Sequence, residues 1–323
     1  MHSRKVRTGG LTQQILTAGP EDGSAPLVLL LHGFPELGVS WRAQVQALAE
    51  TGYRAAAPDM RGYGGTDKPA DAADYSMLHL VGDMVDLVRA LGSDQAVVVG
   101  HDWGGPVAWH CALMRPDVFR AVASLSTPFQ PRRAGGPPLA AMAAISKRAG
   151  LGDLYINRFQ AADAHAPMDA DPAAALRKMF WAYDGATPAD RRSTGFLKPG
   201  VDLLDSIGDD AVLPPWMSAE HFAEYVQAFT AGGFKGPVDW YRALDLNWAL
   251  TGWVQDKRIL VPGLFIVGED DPVRLYAGRH EAMLKDWVPD LRGSHVLAGA
   301  GHWLQQERPE DVNRLLLEFL TGL

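Results

Sequence analysis

The chain has 323 residues, 47% hydrophobic and 21% charged, with a formal net charge of −8; this fits one large globular domain or a core with an insert and argues against a nucleic-acid partner. Its one cysteine, Cys111, excludes an internal disulfide and a cysteine-based zinc site. The basic start Met1–Arg7 runs into the polar stretch Gly9–Gln14 rather than an apolar signal core, and the run Leu27–Leu31 is far too short to span a bilayer, so a cytoplasmic chain without a membrane partner is expected.

From Leu27 onward, strand and helix signals alternate, which predicts a mostly parallel sheet with helices on both faces. Leu27–Leu31 is continuously apolar and closed by His32-Gly33, the pattern of a strand buried on both sides. Trp41, Val45, Leu48 and Ala49 recur at helical spacing before Gly52. Tyr53–Ala57 reads as the next strand, and Leu78, Val81, Met84, Val85, Val88 and Leu91 trace a helical stripe. Val97-Val98-Val99 makes a short buried strand that turns through Gly100-His101-Asp102-Trp103-Gly104-Gly105 into a helix with Cys111 in its packed face. The strand Ala121–Leu125 follows, and the alternation ends at Thr127-Pro128.

Between Phe129 and Asp256, short helical patterns such as Ala173–Trp181, with frequent Pro, Gly, Trp and Tyr, replace the strands. This reads as a helical insert over the carboxyl edge of the sheet. Strand signals resume at Leu264–Gly268 and Ser294–Leu297, and Asp311–Leu320 closes the chain as a helix with Val312, Leu315, Leu316 and Phe319 on one face. The expected division is 1–128 for the first part of the core, 129–256 for the insert and 257–323 for the second part.

Gly100-x-Asp102-x-Gly104 has the spacing of a nucleophile elbow, a strand-to-helix turn that lifts one side chain above the sheet. Small neighbours are needed because the backbone crowds there. The lifted residue here is a carboxylate. Attack on a carbonyl would give an anhydride, a poor route to hydrolysis, whereas attack on a saturated carbon gives an alkyl ester that water can cleave. The leaving group is then a ring-opened epoxide oxygen or a halide. A plain helix N-cap is the bland reading of Asp102, and the glycines on both sides weigh against it. A base follows the last strand at His302, in Gly299-Ala300-Gly301-His302-Trp303, with His101 and His295 as competitors. Three acids, Glu269, Asp270 and Asp271, follow the strand Leu264–Gly268, where a partner for the imidazole belongs.

Together, His32-Gly33-Phe34-Pro35-Glu36, Asp59-Met60-Arg61-Gly62-Tyr63-Gly64, the elbow, Tyr155-Ile156-Asn157-Arg158-Phe159-Gln160, Trp240-Tyr241-Arg242 and Gly301-His302-Trp303 resemble the epoxide hydrolases of bacterial and plant soluble type, over essentially the whole chain. The His-Gly and Asp-elbow motifs are shared with haloalkane and haloacid dehalogenases; the two tyrosine segments are the specific part. The resemblance implies an α/β-hydrolase fold: a mostly parallel, doubly wound sheet with an inserted helical cap. It favours Asp271, just before Pro272-Val273, as the acid orienting His302, with Asp270 as the fallback. Some relatives carry that acid after the strand Ala121–Leu125, but Ser126-Thr127-Pro128 holds no carboxylate. It further implies Tyr155 and Tyr241 as donors to the epoxide oxygen, the Phe34 and Trp103 amides as the oxyanion hole, and Glu36 and His101 as groups that place the hydrolytic water. Glu36 reads equally well as a solvated loop charge, and Asp59 as the organiser of a nearby turn.

Two alternatives meet the same residues. Haloalkane dehalogenases often carry an asparagine donor where Phe34 stands, and fluoroacetate dehalogenases carry an arginine where Trp103 stands. Both comparisons favour the epoxide. A non-catalytic ligand receptor is weakened because no triad position is missing. The expectation is a hydrolase without cofactor or metal, a monomer or homodimer, whose partners are water and a small-molecule epoxide.

Overall fold

Runs of apolar residues bounded by Gly, Pro and polar turns become the strands of the computed structural model, which describes residues 1–20, 23–150 and 152–323. In chain order they are β1 (His2–Arg7), β2 (Thr12–Ala18), β3 (Leu27–Leu31), β4 (Arg54–Pro58), β5 (Ala96–His101), β6 (Phe119–Leu125), β7 (Asp153–Leu154), β8 (Phe196–Leu197), β9 (Gly263–Gly268) and β10 (Leu291–Leu297). Eight form one sheet in the order β1-β2-β4-β3-β5-β6-β9-β10, and β7 pairs with β8 in a separate ribbon. The pairings β1–β2 and β2–β4 are antiparallel, and from β4 to β10 all are parallel.

Strands buried on both faces explain the unbroken apolar runs. Val97 and Val99 of β5 pack with Val28 and Leu30 against the helices Arg42–Glu50 and Pro309–Thr321. Val98 points the other way, toward Leu29 and the helices Met77–Ala90 and Gly104–Met114. Cys111 is buried in that second layer.

Two strands lie ahead of the first one expected. β1 is an exposed edge strand of mixed polar and basic residues, so no apolar period marks it; such charge on an edge discourages pairing with another chain. β2 buries Gln13, Ile15 and Thr17 on alternate positions, and two of those three are polar.

Register delivers the site. Leu31 lies beside Gly100, Gly100 beside Ser124, Leu125 beside Ile266, and Leu297 beside Gly268. The loops after β3, β5, β6, β9 and β10 therefore leave one edge of the sheet side by side, where ligands bind in open α/β sheets. Among the described residues the segment between β6 and β9 contributes no strand to the main sheet, and its helices, including Pro172–Ala182, Ala219–Gly232 and Lys235–Arg242, lie over this edge. Trp240 Nε1 donates to the Arg61 carbonyl at 2.9 Å, and the Met77 N–H donates to Asn247 Oδ1 at 2.6 Å, joining it to the core. Among the described residues no helix is long and apolar enough to cross a membrane.

Candidate active site

β5 leads directly into Asp102 at φ 49°, the left-handed region that side chains seldom adopt and Asp tolerates better than most. The turn closes only because its neighbours are glycine. A Cβ on Gly100 would sit 2.0 Å from the Gly104 carbonyl oxygen, and one on Gly104 would sit 2.0 Å from the Leu31 carbonyl oxygen.

The two oxygens of Asp102 have different partners. Oδ1 accepts the Phe34 N–H at 2.8 Å, while Oδ2 faces His302 Nε2 at 3.5 Å. His302 Nδ1 lies 3.1 and 3.2 Å from the oxygens of Asp271, which also accepts the Val273 N–H at 2.9 Å. Asp270 instead pairs with Arg192 at 2.6 Å, and Glu269 accepts the Gly299 N–H at 3.1 Å. Asp271 alone of the three touches His302. Burial pushes the Asp102 carboxyl up, but His302, His101 and the Phe34 N–H outweigh it and hold it below the usual carboxylate value. Burial pulls the His302 imidazole down, yet Asp271 and Asp102 together raise it well above its ordinary value.

Glu36 is fully buried, which removes the reading of a solvated loop charge. It accepts from Gln305 and Gln306 at 2.8 Å and lies 2.7 Å from His101 Nδ1; His101 Nε2 lies 2.7 Å from the His302 carbonyl. The ring therefore spans from the Glu36 carboxyl group to the backbone of His302. Neither residue borders the cavity at Asp102. Through the ring of His101, Glu36 is linked to the His302 backbone.

Tyr155 and Tyr241 come from separate helices, Tyr155–Arg158 and Lys235–Arg242, and their hydroxyls are 3.3 Å apart. Gln160 Nε2 donates to the Tyr241 carbonyl at 3.0 Å and Arg242 Nε to the Phe159 carbonyl at 3.2 Å, so each tyrosine segment braces the other. Burial raises both phenols well above their ordinary value, leaving neutral donors. Two arms of one cavity share Asp102, Tyr155, Val273 and Tyr276. The larger, about 270 Å³, runs past Trp103, Tyr241 and Phe129. The smaller, about 30 Å³, lies between His302, Phe34 and Tyr183. Among the described residues no cluster of His, Cys, Asp or Glu could hold a metal ion.

The α/β-hydrolase fold family matches residues 26–309. Epoxide hydrolase A of Mycobacterium tuberculosis is 42% identical over 99% of this chain and 97% of its own, and epoxide hydrolase 3 of Siraitia grosvenorii 37% identical over 98% and 97%. The chain belongs to the epoxide hydrolases. Among solved epoxide hydrolases, one from an endophytic Streptomyces superposes with a TM-score of 0.93 at 38% identity, covering 99% of this chain and 95% of that one. Potato epoxide hydrolase I does so with a TM-score of 0.86 at 36% identity, covering 100% and 99%.

Two further residues at this epoxide hydrolase site are given no role by the sequence reading. Ser126, left-handed at φ 72° and fully buried, donates to Asp271 and lies 2.9 Å from His302 Nδ1. His32 accepts the Met60 N–H on Nε2 at 2.9 Å, which puts its proton on Nδ1, 2.9 Å from the Gly33 carbonyl. It thereby ties the Phe34 loop to the loop after β4. Asp59 does similar work from the other side, accepting the Gly38 and Gly65 N–H groups at 2.9 Å.

Proposed function

We propose that the chain converts epoxides to vicinal diols in two half-reactions on Asp102. In the first, Asp102 Oδ2 bonds to an oxirane carbon, the ring C–O bond breaks, and the freed oxygen takes a proton from the Tyr155–Tyr241 pair. In the second, His302 Nε2 removes a proton from water and the hydroxide adds to Asp102 Cγ. The oxyanion rests on the Phe34 and Trp103 amides. Collapse releases the diol oxygen, which takes the proton from His302; the proton left on Asp102 returns to the tyrosine pair. Asp271 orients and steadies the imidazolium throughout.

The smaller arm suits the water. Its volume of about 30 Å³ exceeds the ~10–15 Å³ one water needs, and it borders both His302 and Asp102. Esterification then arms the base. Two carboxylates raise the His302 imidazole, and alkylation of Asp102 removes the charge of one of them, so the imidazole's hold on a proton weakens at the point where a base is required.

The observation that carries the choice of substrate is the 3.3 Å pair of tyrosine hydroxyls in the same cavity as Asp102. A departing alkoxide needs a proton donor; a halide does not. The test is turnover of an aryl epoxide such as styrene oxide beside haloalkanes, in the wild type and in Tyr155→Phe/Tyr241→Phe. Diol formation lost in the double variant supports the reading, and halide release that survives in it favours the dehalogenase.

A further inference from the structure

We propose that Glu307 is a positioning residue for ester hydrolysis: its carboxylate seals the His302 loop against the segment Tyr183–Gly185 and so fixes His302 over Asp102. This rests on the reading of His302 as the base given above.

Glu307 ends the short helix Leu304–Glu307, directly after His302-Trp303. Its Oε2 accepts the Gly301 N–H at 2.7 Å and the Gly185 N–H at 3.1 Å, and its Oε1 accepts the Trp303 N–H at 2.8 Å. Gly301 and Trp303 are the chain neighbours of His302. The His302 N–H itself donates to the Tyr183 carbonyl at 2.9 Å. Three consecutive amides are thus fixed, two of them by one side chain.

The two segments meet backbone to backbone. A Cβ on Gly185 would lie 2.5 Å from the Gly301 nitrogen, and a Cβ on Gly301 would lie 2.3 Å from the Gly185 nitrogen. With no room for a side chain at either position, the carboxylate is what bridges the join. Burial pushes the Glu307 carboxyl up to about 7, with the N–H donors pulling down and Asp184 pushing up. Holding its charge here costs stability, and the geometry of His302 is the return. Tyr183, the residue gripped by the His302 N–H, also borders the smaller arm. The first half-reaction uses none of these contacts; the second depends on where Nε2 sits.

The test resolves the two steps with styrene oxide as probe, following adduct formation and decay by stopped-flow tryptophan fluorescence and protein mass. Glu307→Gln keeps the size but turns one acceptor into a donor that faces amide N–H groups. Alkylation at the wild-type rate is expected, with decay slowed about tenfold or more, since small misplacements of a base are costly; adduct then accumulates at steady state. Decay at the wild-type rate overturns the proposal, as does equal slowing of both steps with a fall in melting temperature. Should that variant not fold, Gly185→Ala presses on the same join from the other side and must show the same selective slowing. Wild-type kinetics in folded Gly185→Ala overturn the proposal too. A wild type that forms no adduct with the probe sinks the covalent mechanism itself, which keeps the two failures distinct.

Discussion

The Phe34 amide donates to Asp102 Oδ1 at 2.8 Å and leaves Oδ2 turned toward His302. In the proposed mechanism the first oxygen serves the oxyanion hole and the second attacks the epoxide. Water adding to Cγ must then leave its own oxygen on the enzyme, because Oδ2 departs with the diol. A single turnover in ¹⁸O-water is expected to label Asp102, read by mass spectrometry of the peptide carrying it. Label confined to the diol would mean that water attacks the epoxide directly.

His302 should divide the reaction in two. His302→Gln removes the base but keeps Asp102 and both tyrosines, so alkyl-enzyme is expected to accumulate while turnover falls by at least ~10²-fold. In the wild type, hydrolysis needs the neutral imidazole and therefore speeds up as pH rises. Two carboxylates raise the imidazole in the free enzyme, and only Asp271 remains charged in the ester. The acid limb of adduct decay is thus expected at lower pH than the titration of His302 in the free enzyme, followed by NMR. Coincident curves would show that the charge of Asp102 has no hold on His302.

Tyr155→Phe and Tyr241→Phe each leave one donor at the cavity. Each single variant is expected to slow alkylation by about tenfold to a hundredfold, and the double variant to abolish it, within the range for a lost general acid. The melting temperature of the double variant should stay near the wild type, because the two lost hydroxyls are partnered with each other. Full activity in the double variant would remove the tyrosines from the mechanism.

Much of this site was legible because its signals are local. Val97–Val99 and the flanking glycines announce β5 and its elbow, and Tyr155 and Tyr241 stand in recognisable short contexts. Other parts are set by contacts that no local pattern reports. Glu36 is buried by Gln305 and Gln306 from the far end of the chain. Ser126 looks like an ordinary loop serine until β6 and β9 pair and bring it to Asp271. β1 escaped for the opposite reason, since an edge strand needs neither apolar alternation nor burial. Asp271 could be told from Asp270 by resemblance alone, and geometry supplies the reason: Arg192 claims Asp270.

Arg61, within the Asp59–Gly64 segment, makes a bidentate pair with Asp83 at 2.8 and 2.7 Å, and both side chains are over 90% buried. Burial pushes the Asp83 carboxyl up even against the pull of Arg61. Asp83→Ala leaves a buried guanidinium alone and is expected to cost about 3 kcal/mol or more, measured by urea unfolding. Arg61→Met with Asp83→Leu removes both charges and should recover most of it. A single-variant cost under ~1 kcal/mol would mean that water solvates the pair.

Ser126 gives the sharpest test of how the acid is tuned. Its hydroxyl donates to Asp271, spreading the carboxylate charge and weakening its grip on the imidazolium. Ser126→Ala returns that charge to His302, so hydrolysis loses its neutral base over a wider range of pH. The acid limb of adduct decay should move upward by about one pH unit, the equivalent of ~1.4 kcal/mol for one hydrogen bond to a charged group. Ser126→Asn tolerates a left-handed backbone and carries an N–H donor, so it should bring the limb back. Ser126→Thr has the hydroxyl but a β-branched side chain poorly suited to φ 72°, and should recover less. An acid limb that stays in place in Ser126→Ala would assign the serine to packing alone.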